Sequence, residues 1–258
     1  MVYASFSEGF HSGGFFGVNQ NIRDFERDQY DPEYATSIEV GFKSMMLDNR
    51  LRFNVAAFRN EFEDKQESFV KIDPDTKTVA SVFDNAAEVL YEGIEVEVLY
   101  AATRDLRLFL NAGWLDANYE EFTTDITPTD GVVNVVDASF LEPRNAPEYT
   151  LGLGFNFTKQ IGAGEMELFA KYTKIADFQT DVLNLNAGRT ASGNSEDLSA
   201  TIGYYFGDYS VSLYGKNLTD EQVEWPVLLG GSPTSGVLFA AGTITRGRHL
   251  GIEFTAEF

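Results

Sequence analysis

Apolar and polar residues alternate one by one along about ten stretches of this chain, and the last stretch runs to the final residue. There Leu250, Ile252, Phe254, Ala256 and Phe258 share one face of a strand, and His249, Gly251, Glu253, Thr255 and Glu257 share the other. The reason is that successive strand side chains point to opposite sides. The same period of two runs through Tyr3–Phe6, through Ile38, Val40 and Phe42, and through Leu51, Phe53 and Val55. It continues in Ile94–Val98, in Leu106–Trp114 with Phe109 as the exception, in Tyr149–Phe157 and in Met166–Tyr172. Leu198–Phe206 and Tyr209–Leu213 complete the set. The pattern predicts an all-β, antiparallel chain whose strands are apolar on one side and polar on the other. A buried aromatic at a terminus is unusual, because chain ends fray.

Short and long connections take turns. The short ones are Met46–Asn49, Ala102–Asp105, Lys159–Gly164 and Gly207–Asp208. The long ones run from His11 to Pro32, Glu67 to Asn85, Thr123 to Arg144, Val182 to Ser195 and Glu221 to Arg246. Tight turns at one rim and long loops at the other predict a transmembrane β-barrel segment, with periplasmic and extracellular sides respectively. The long loops carry turn chemistry such as Asp73-Pro74-Asp75 and Gly230-Gly231-Ser232-Pro233.

Composition narrows the partners. The chain has 258 residues with a formal charge of -21, and a phosphate backbone needs clustered cations, so nucleic acid is excluded as a partner. Zero cysteines exclude disulfides and thiolate metal sites. Twenty-two Phe and twelve Tyr favour strands. No run approaches the roughly 18 apolar residues of a spanning helix. Met1-Val2-Tyr3-Ala4-Ser5 lacks a basic region followed by an apolar core, so an export signal is expected outside the given sequence.

Candidate chemistry is sparse. His11 and His249 have no ligand spacing around them, and the carboxylates at Glu61, Glu63 and Asp64 and at Asp24, Glu26, Asp28, Asp31 and Glu33 lack the spacing of a calcium loop. Neither a nucleophile elbow nor a phosphate loop is present, so no catalytic residue, cofactor or metal is expected. Arg50, Arg52, Lys43, Arg107, Glu95, Glu97, Glu165, Glu167 and Lys171 fall on the polar register, where opposite charges on adjacent strands pair.

The residues resemble the carboxy-terminal half of the barrel in TonB-dependent outer-membrane receptors. The segment Tyr3-Ala4-Ser5-Phe6-Ser7-Glu8-Gly9-Phe10 with Ser12-Gly13-Gly14-Phe15 carries the likeness first. The strand Ile38-Glu39-Val40-Gly41-Phe42-Lys43, then Asn54–Phe58 with Asp64-Lys65-Gln66, follows in the family's order. Asn85-Ala86-Ala87 with Tyr91–Glu97, and the box Lys216-Asn217-Leu218-Thr219-Asp220, extend the likeness over essentially the whole chain. Before the last strand the family usually has Pro-Arg, and here Gly247-Arg248 keeps only the arginine.

The resemblance implies that residues 1–258 are one carboxy-terminal portion of a barrel of roughly 22 strands with a plugged lumen. Its plug and signal peptide would lie upstream. It implies a Gram-negative outer-membrane receptor, not an enzyme, taking up a scarce ligand such as an iron–siderophore complex. The implied partners are outer-membrane lipid, the barrel assembly machinery and the TonB complex acting through the plug. Leu250, Ile252, Phe254 and Phe258 are expected to form the assembly signal. A small stand-alone porin or adhesin barrel is the alternative reading, and a soluble acidic all-β binding protein a third.

Overall fold

The computed structural model describes residues 1–15, 29–72, 79–125, 135–182, 191–192, 195–232 and 237–257. In chain order the strands are β1 (Val2–His11), β2 (Gly14–Phe15), β3 (Gln29–Tyr30), β4 (Glu33–Met46), β5 (Leu51–Ile72) and β6 (Val79–Ala101). There follow β7 (Leu106–Asp125), β8 (Val135–Asp137), β9 (Tyr149–Ile161), β10 (Gly164–Ile175), β11 (Phe178–Gln179) and β12 (Ala191–Ser192). The last are β13 (Ser195–Phe206), β14 (Tyr209–Lys216), β15 (Glu224–Ser232), β16 (Val237–Ile244) and β17 (His249–Ala256). Ten of them form one antiparallel path, β1-β4-β5-β6-β7-β9-β10-β13-β14-β17, with β8 attached to β7. These are the ten stretches that the alternation picks out. Along the path each strand pairs only with the long strands before and after it, and β1 and β17 stand at the two edges, so the sheet is not closed into a barrel.

Register carries the apolar face across the whole sheet. Ala4 lies opposite Val40, Val40 opposite Ala57, Ala57 opposite Ile94 and Ile94 opposite Trp114. Leu110 meets Leu153, Leu168 meets Ile202, Ile202 meets Leu213, and Leu213 meets Ile252. Among the described residues no second layer packs on this surface: Phe6 is 62%, Leu213 50% and Ile252 76% exposed. A continuous band of this kind is what a lipid-facing wall requires, and in water it would be an aggregation surface. The band ends toward the long loops, where the outward register turns polar at the Arg59–Glu92 ion pair (2.7 Å) and the Lys174–Glu196 ion pair (2.7 Å).

The opposite face is held in register by aromatic rings laid over glycine. Tyr3 faces Gly41, Phe58 faces Gly93, Phe109 faces Gly154 and Tyr214 faces Gly251 across adjacent strands. A Cβ on Gly154 would stand 2.2 Å from the Ala170 carbonyl oxygen and 2.5 Å from the Phe109 ring. Glycine is therefore the residue that lets ring and backbone approach. This accounts for Phe109, the break in the alternation: it faces the polar side, covers Gly154 and stacks on Phe169 at 6.2 Å.

The tight turns sit where expected, and left-handed backbone makes three of the four. Leu47, Asp48 and Asn49 have φ of 55°, 55° and 65°, and Gly162 and Gly207 have φ of 62° and 57°. Two of the predicted loops are corrected. Most of Glu67–Asn85 is ladder, because β5 and β6 stay paired out to Ile72 opposite Val79 after bulges between Phe62 and Gln66. Much of Glu221–Arg246 forms the β15–β16 hairpin. Both segments are rich in Val, Phe, Leu and Ile, and these β-forming side chains outweigh the flanking turn residues.

Candidate functional site

The inner wall is a charged and polar surface around a groove of about 600 Å³. Asn54, Glu95, Glu97, Asn111 and Lys171 line it, with Ala56, Gly113 and Gly152 as a low floor. The small residues leave backbone open where longer side chains would fill the space. Of the expected charge pairs, one forms among the described residues: Arg52 lies 3.9 Å from Glu97, whose Oε2 also accepts from Asn54 Nδ2 at 2.7 Å. The Tyr3 hydroxyl donates to Glu39, and Gln160 Nε2 donates to Glu165 at 2.8 Å. Lys43 stands over the Tyr3 ring at 4.8 Å. Arg50 is corrected: it belongs to the tight turn, where its Nε donates to the Leu47 carbonyl at 3.3 Å.

Toward the long-loop end the same inner face becomes apolar, which alternation alone did not reveal. Val89 lies opposite Tyr119, and Ala87 opposite Phe122, on β6 and β7. The strap 135–148, between β7 and β9, folds onto them. Ala138 (0% exposed), Leu141 and Val182 pack there with Val89, Tyr119 and Phe122. Ala138 N donates to the Phe122 carbonyl (2.6 Å), Phe122 N donates to Ser139 Oγ (3.0 Å), and Asn145 N donates to the Gln179 carbonyl (2.7 Å). Both the hydroxyl and the backbone N–H of Ser139 donate to Asp137, which holds that carboxyl below its usual range.

One carboxylate is enclosed in this region. Glu67, on β5, is fully buried, with Arg144 of the strap 3.1 Å away and Lys65 3.6 Å away. Neither contact is aligned as a hydrogen bond, so the carboxylate is balanced in charge while its oxygens stay unsatisfied. Burial raises its pKa, opposed by Lys65 and Arg144. The nearby Tyr119 hydroxyl is likewise buried without a partner. The carboxyl of Glu33 instead accepts from Gln66 N at 2.8 Å.

In two of the resembling motifs, one within β6 and one just after β14, an asparagine organises the backbone around it. Asn85 Nδ2 donates to the carbonyls of Asp31 (2.9 Å) and Asp64 (2.7 Å), and its Oδ1 accepts from Asp31 N (2.7 Å). It thereby ties the start of β4 to the bulge of β5. Asn217, at φ 49°, donates through Nδ2 to the carbonyls of Glu221 (2.7 Å) and Arg246 (2.9 Å). Its Oδ1 accepts from Glu221 N (3.1 Å) and the Thr219 hydroxyl (3.0 Å). Arg248 completes this box: its N donates to Asp220 Oδ1 (2.8 Å), with the guanidinium 3.5 Å from the same carboxylate.

The remaining candidates are dispersed. Leu250, Ile252 and Phe254 share the outward face of β17, 69%, 76% and 65% exposed, while Phe258 lies outside the described residues. His249 sits edge-on to Tyr214, 6.5 Å between rings, and the distant His11 ends β1. Glu61 is held by Arg59, and Asp24, Glu26 and Asp28 lie outside the described residues. Among the described residues no three His or carboxylates converge to hold a metal.

A family model described as "TonB dependent receptor-like, beta-barrel" matches residues 1–218. Among solved structures, the ferric yersiniabactin uptake receptor of Yersinia pestis superposes with a TM-score of 0.73 at 16% identity, over 100% of this chain and 35% of that one. The siderophore receptor PiuA of Acinetobacter baumannii gives 0.67 at 18% identity over 98% and 33%, and the ferric-catecholate import receptor Fiu of E. coli K12 gives 0.64 at 17% over 100% and 33%. The chain thus spans about a third of the length of the solved structures it matches, and at these identities the likeness is one of fold.

Proposed function

Since this chain belongs to the TonB-dependent receptor-like β-barrel family, we propose that it is the carboxy-terminal wall of an outer-membrane receptor importing a scarce ligand such as an iron–siderophore complex. The family consists of outer-membrane transporters rather than enzymes, and the apolar band from β1 to β17 is the surface that meets lipid there. In this reading residues 1–258 supply wall and loops. A plug encoded upstream supplies the moving part and the contact with the TonB complex. The observation that carries the reading is the pairing of one continuous apolar face with one charged, grooved face across ten strands. Supporting the ligand class, the solved structures with the same fold include receptors described as taking up ferric yersiniabactin and ferric catecholates.

Leu250, Ile252 and Phe254, together with Phe258, form the assembly signal in this proposal, since the exposed apolar face that the first three present on β17 has little reason to exist in a soluble protein. The test is iron-limited growth of the native host with its chromosomal copy deleted and then restored, supplied with single ferric siderophores. Growth on at least one siderophore that requires both this gene and TonB is the expected result. Uptake that persists without TonB favours a passive pore instead, and no growth difference on any siderophore overturns the ligand class.

A further inference from the structure

We propose that the strap 135–148 is a lid on the long-loop end of the inner wall, closed only while the charge on Glu67 is balanced by Arg144. The strap leaves β7 and re-enters at β9, yet Arg144 reaches back past β6 to a residue of β5. It therefore spans two strand intervals, about 10 Å at the spacing of paired strands. What it covers is the apolar patch of Val89, Tyr119 and Phe122, which would otherwise face the barrel's aqueous mouth. Closure thus gains burial of Ala138 and Leu141, and it costs the enclosure of a carboxylate.

The two ends of the ion pair are unequal. The Glu67 side chain is 1% exposed, whereas that of Arg144 is 37% exposed. The desolvation cost accordingly sits on Glu67, and Arg144 offsets it only when the strap is down. Among the described residues Lys65 is the one other cation beside Glu67, Glu33 adds negative charge, and Tyr91 and Tyr119 bring phenols that offer no counter-charge.

Removing Arg144 leaves the enclosed carboxylate with Lys65 alone, which sits on the same strand and does not hold the strap, and should lift the lid. Removing the charge of Glu67 as well should let it close again. Proton linkage gives the same sign: burial raises Glu67 above its ordinary value, so the closed form holds the proton more tightly than the open form. Its stabilisation by that proton is complete below the ordinary carboxylate range and is lost as pH rises through the raised value. The inference needs only a wall with a wet mouth, and it stands or falls separately from any siderophore result.

This chain has no cysteine, and any elsewhere in the full receptor is first replaced so that a single one reports. Outer membranes carrying the full receptor would be labelled with a membrane-impermeant maleimide at Ala138→Cys, normalised to the exposed Phe140→Cys. Arg144→Met is expected to speed Ala138→Cys labelling by about tenfold or more, the scale of an uncompensated buried charge. Glu67→Gln alone should leave labelling slow, and the Glu67→Gln/Arg144→Met pair should return it to slow. The proposal is overturned if Arg144→Met labels slowly in a barrel that still migrates in its heat-sensitive form, or if the double variant labels as fast as Arg144→Met. Where Arg144→Met fails to assemble, the unaltered lid decides. Normalised labelling must rise as pH goes from the ordinary carboxylate range up through the raised value of Glu67, and a flat profile rejects the lid.

Discussion

Replacing Asn217 by alanine removes a side chain that closes the end of β14 from both directions. Asn217 is 9% exposed, and its amide serves the Glu221 and Arg246 carbonyls while its carbonyl serves Glu221 N. The Thr219 hydroxyl has a second acceptor, the Glu196 carbonyl at 3.0 Å, and so survives the change. Three backbone groups are left without partners. They are partly buried, so the lower end of the cost of an unsatisfied group applies, about 1 kcal/mol each. Alanine at φ 49° adds about 1 kcal/mol, because the left-handed region crowds its Cβ. Asn217→Ala should therefore cost about 4 kcal/mol, and Asn217→Gly about 3, since glycine loses the same contacts without the backbone strain. Asn111→Ala, on the exposed inner wall, should stay within about 0.5 kcal/mol. The assay is urea titration of the membrane-reconstituted receptor, followed by loss of the compact band on unheated gels. A cost below about 1 kcal/mol for Asn217→Ala would refute the argument from unsatisfied groups, and a glycine variant worse than alanine would refute the strain.

Three further outcomes follow from the wall. Gly154→Ala should destabilise by about 1–3 kcal/mol because its Cβ meets the Ala170 carbonyl oxygen at 2.2 Å, and backbone cannot rotate away. Gly251→Ala meets only the Tyr214 ring and should cost less in the same titration. Ile252→Lys places a charge on the lipid face and should cost about 2–4 kcal/mol, whereas Thr255→Lys on the inner face should cost no more than about 0.5; equal effects would mean the faces are misassigned. Tyr119→Phe removes a buried hydroxyl that has no partner and should be neutral or stabilising by thermal melting, while Tyr119→Ala, which opens a cavity, should cost about 3–5 kcal/mol.

Much of this fold can be read from alternation, because a two-faced wall imposes a period of two on every strand it contains. Ile38, Val40 and Phe42 on one side and Glu39, Gly41 and Lys43 on the other needed no tertiary information. Phe109 escaped that logic because its reason is a cross-strand neighbour, Gly154, which lies far along the chain and has no side chain to register in a pattern. The extensions of β5 and β6 were hidden for a different reason: polar and turn-forming residues interrupt the alternation, and ladder bonds between two long strands override them. Least legible was the strap. Arg144 and Glu67 are ordinary loop and strand charges in sequence, and only the return of 135–148 across β6 brings them together.

Because every long strand bonds only to its nearest long neighbours in the chain, the circumference of such a wall can change in steps of one hairpin. Inserting or deleting a unit such as 149–175 would leave each other ladder with the partner it already has, as long as the flanking apolar stripes stay in phase. Nearest-neighbour pairing thus makes width an evolvable dimension, adjustable by tandem duplication without redesign of the rest.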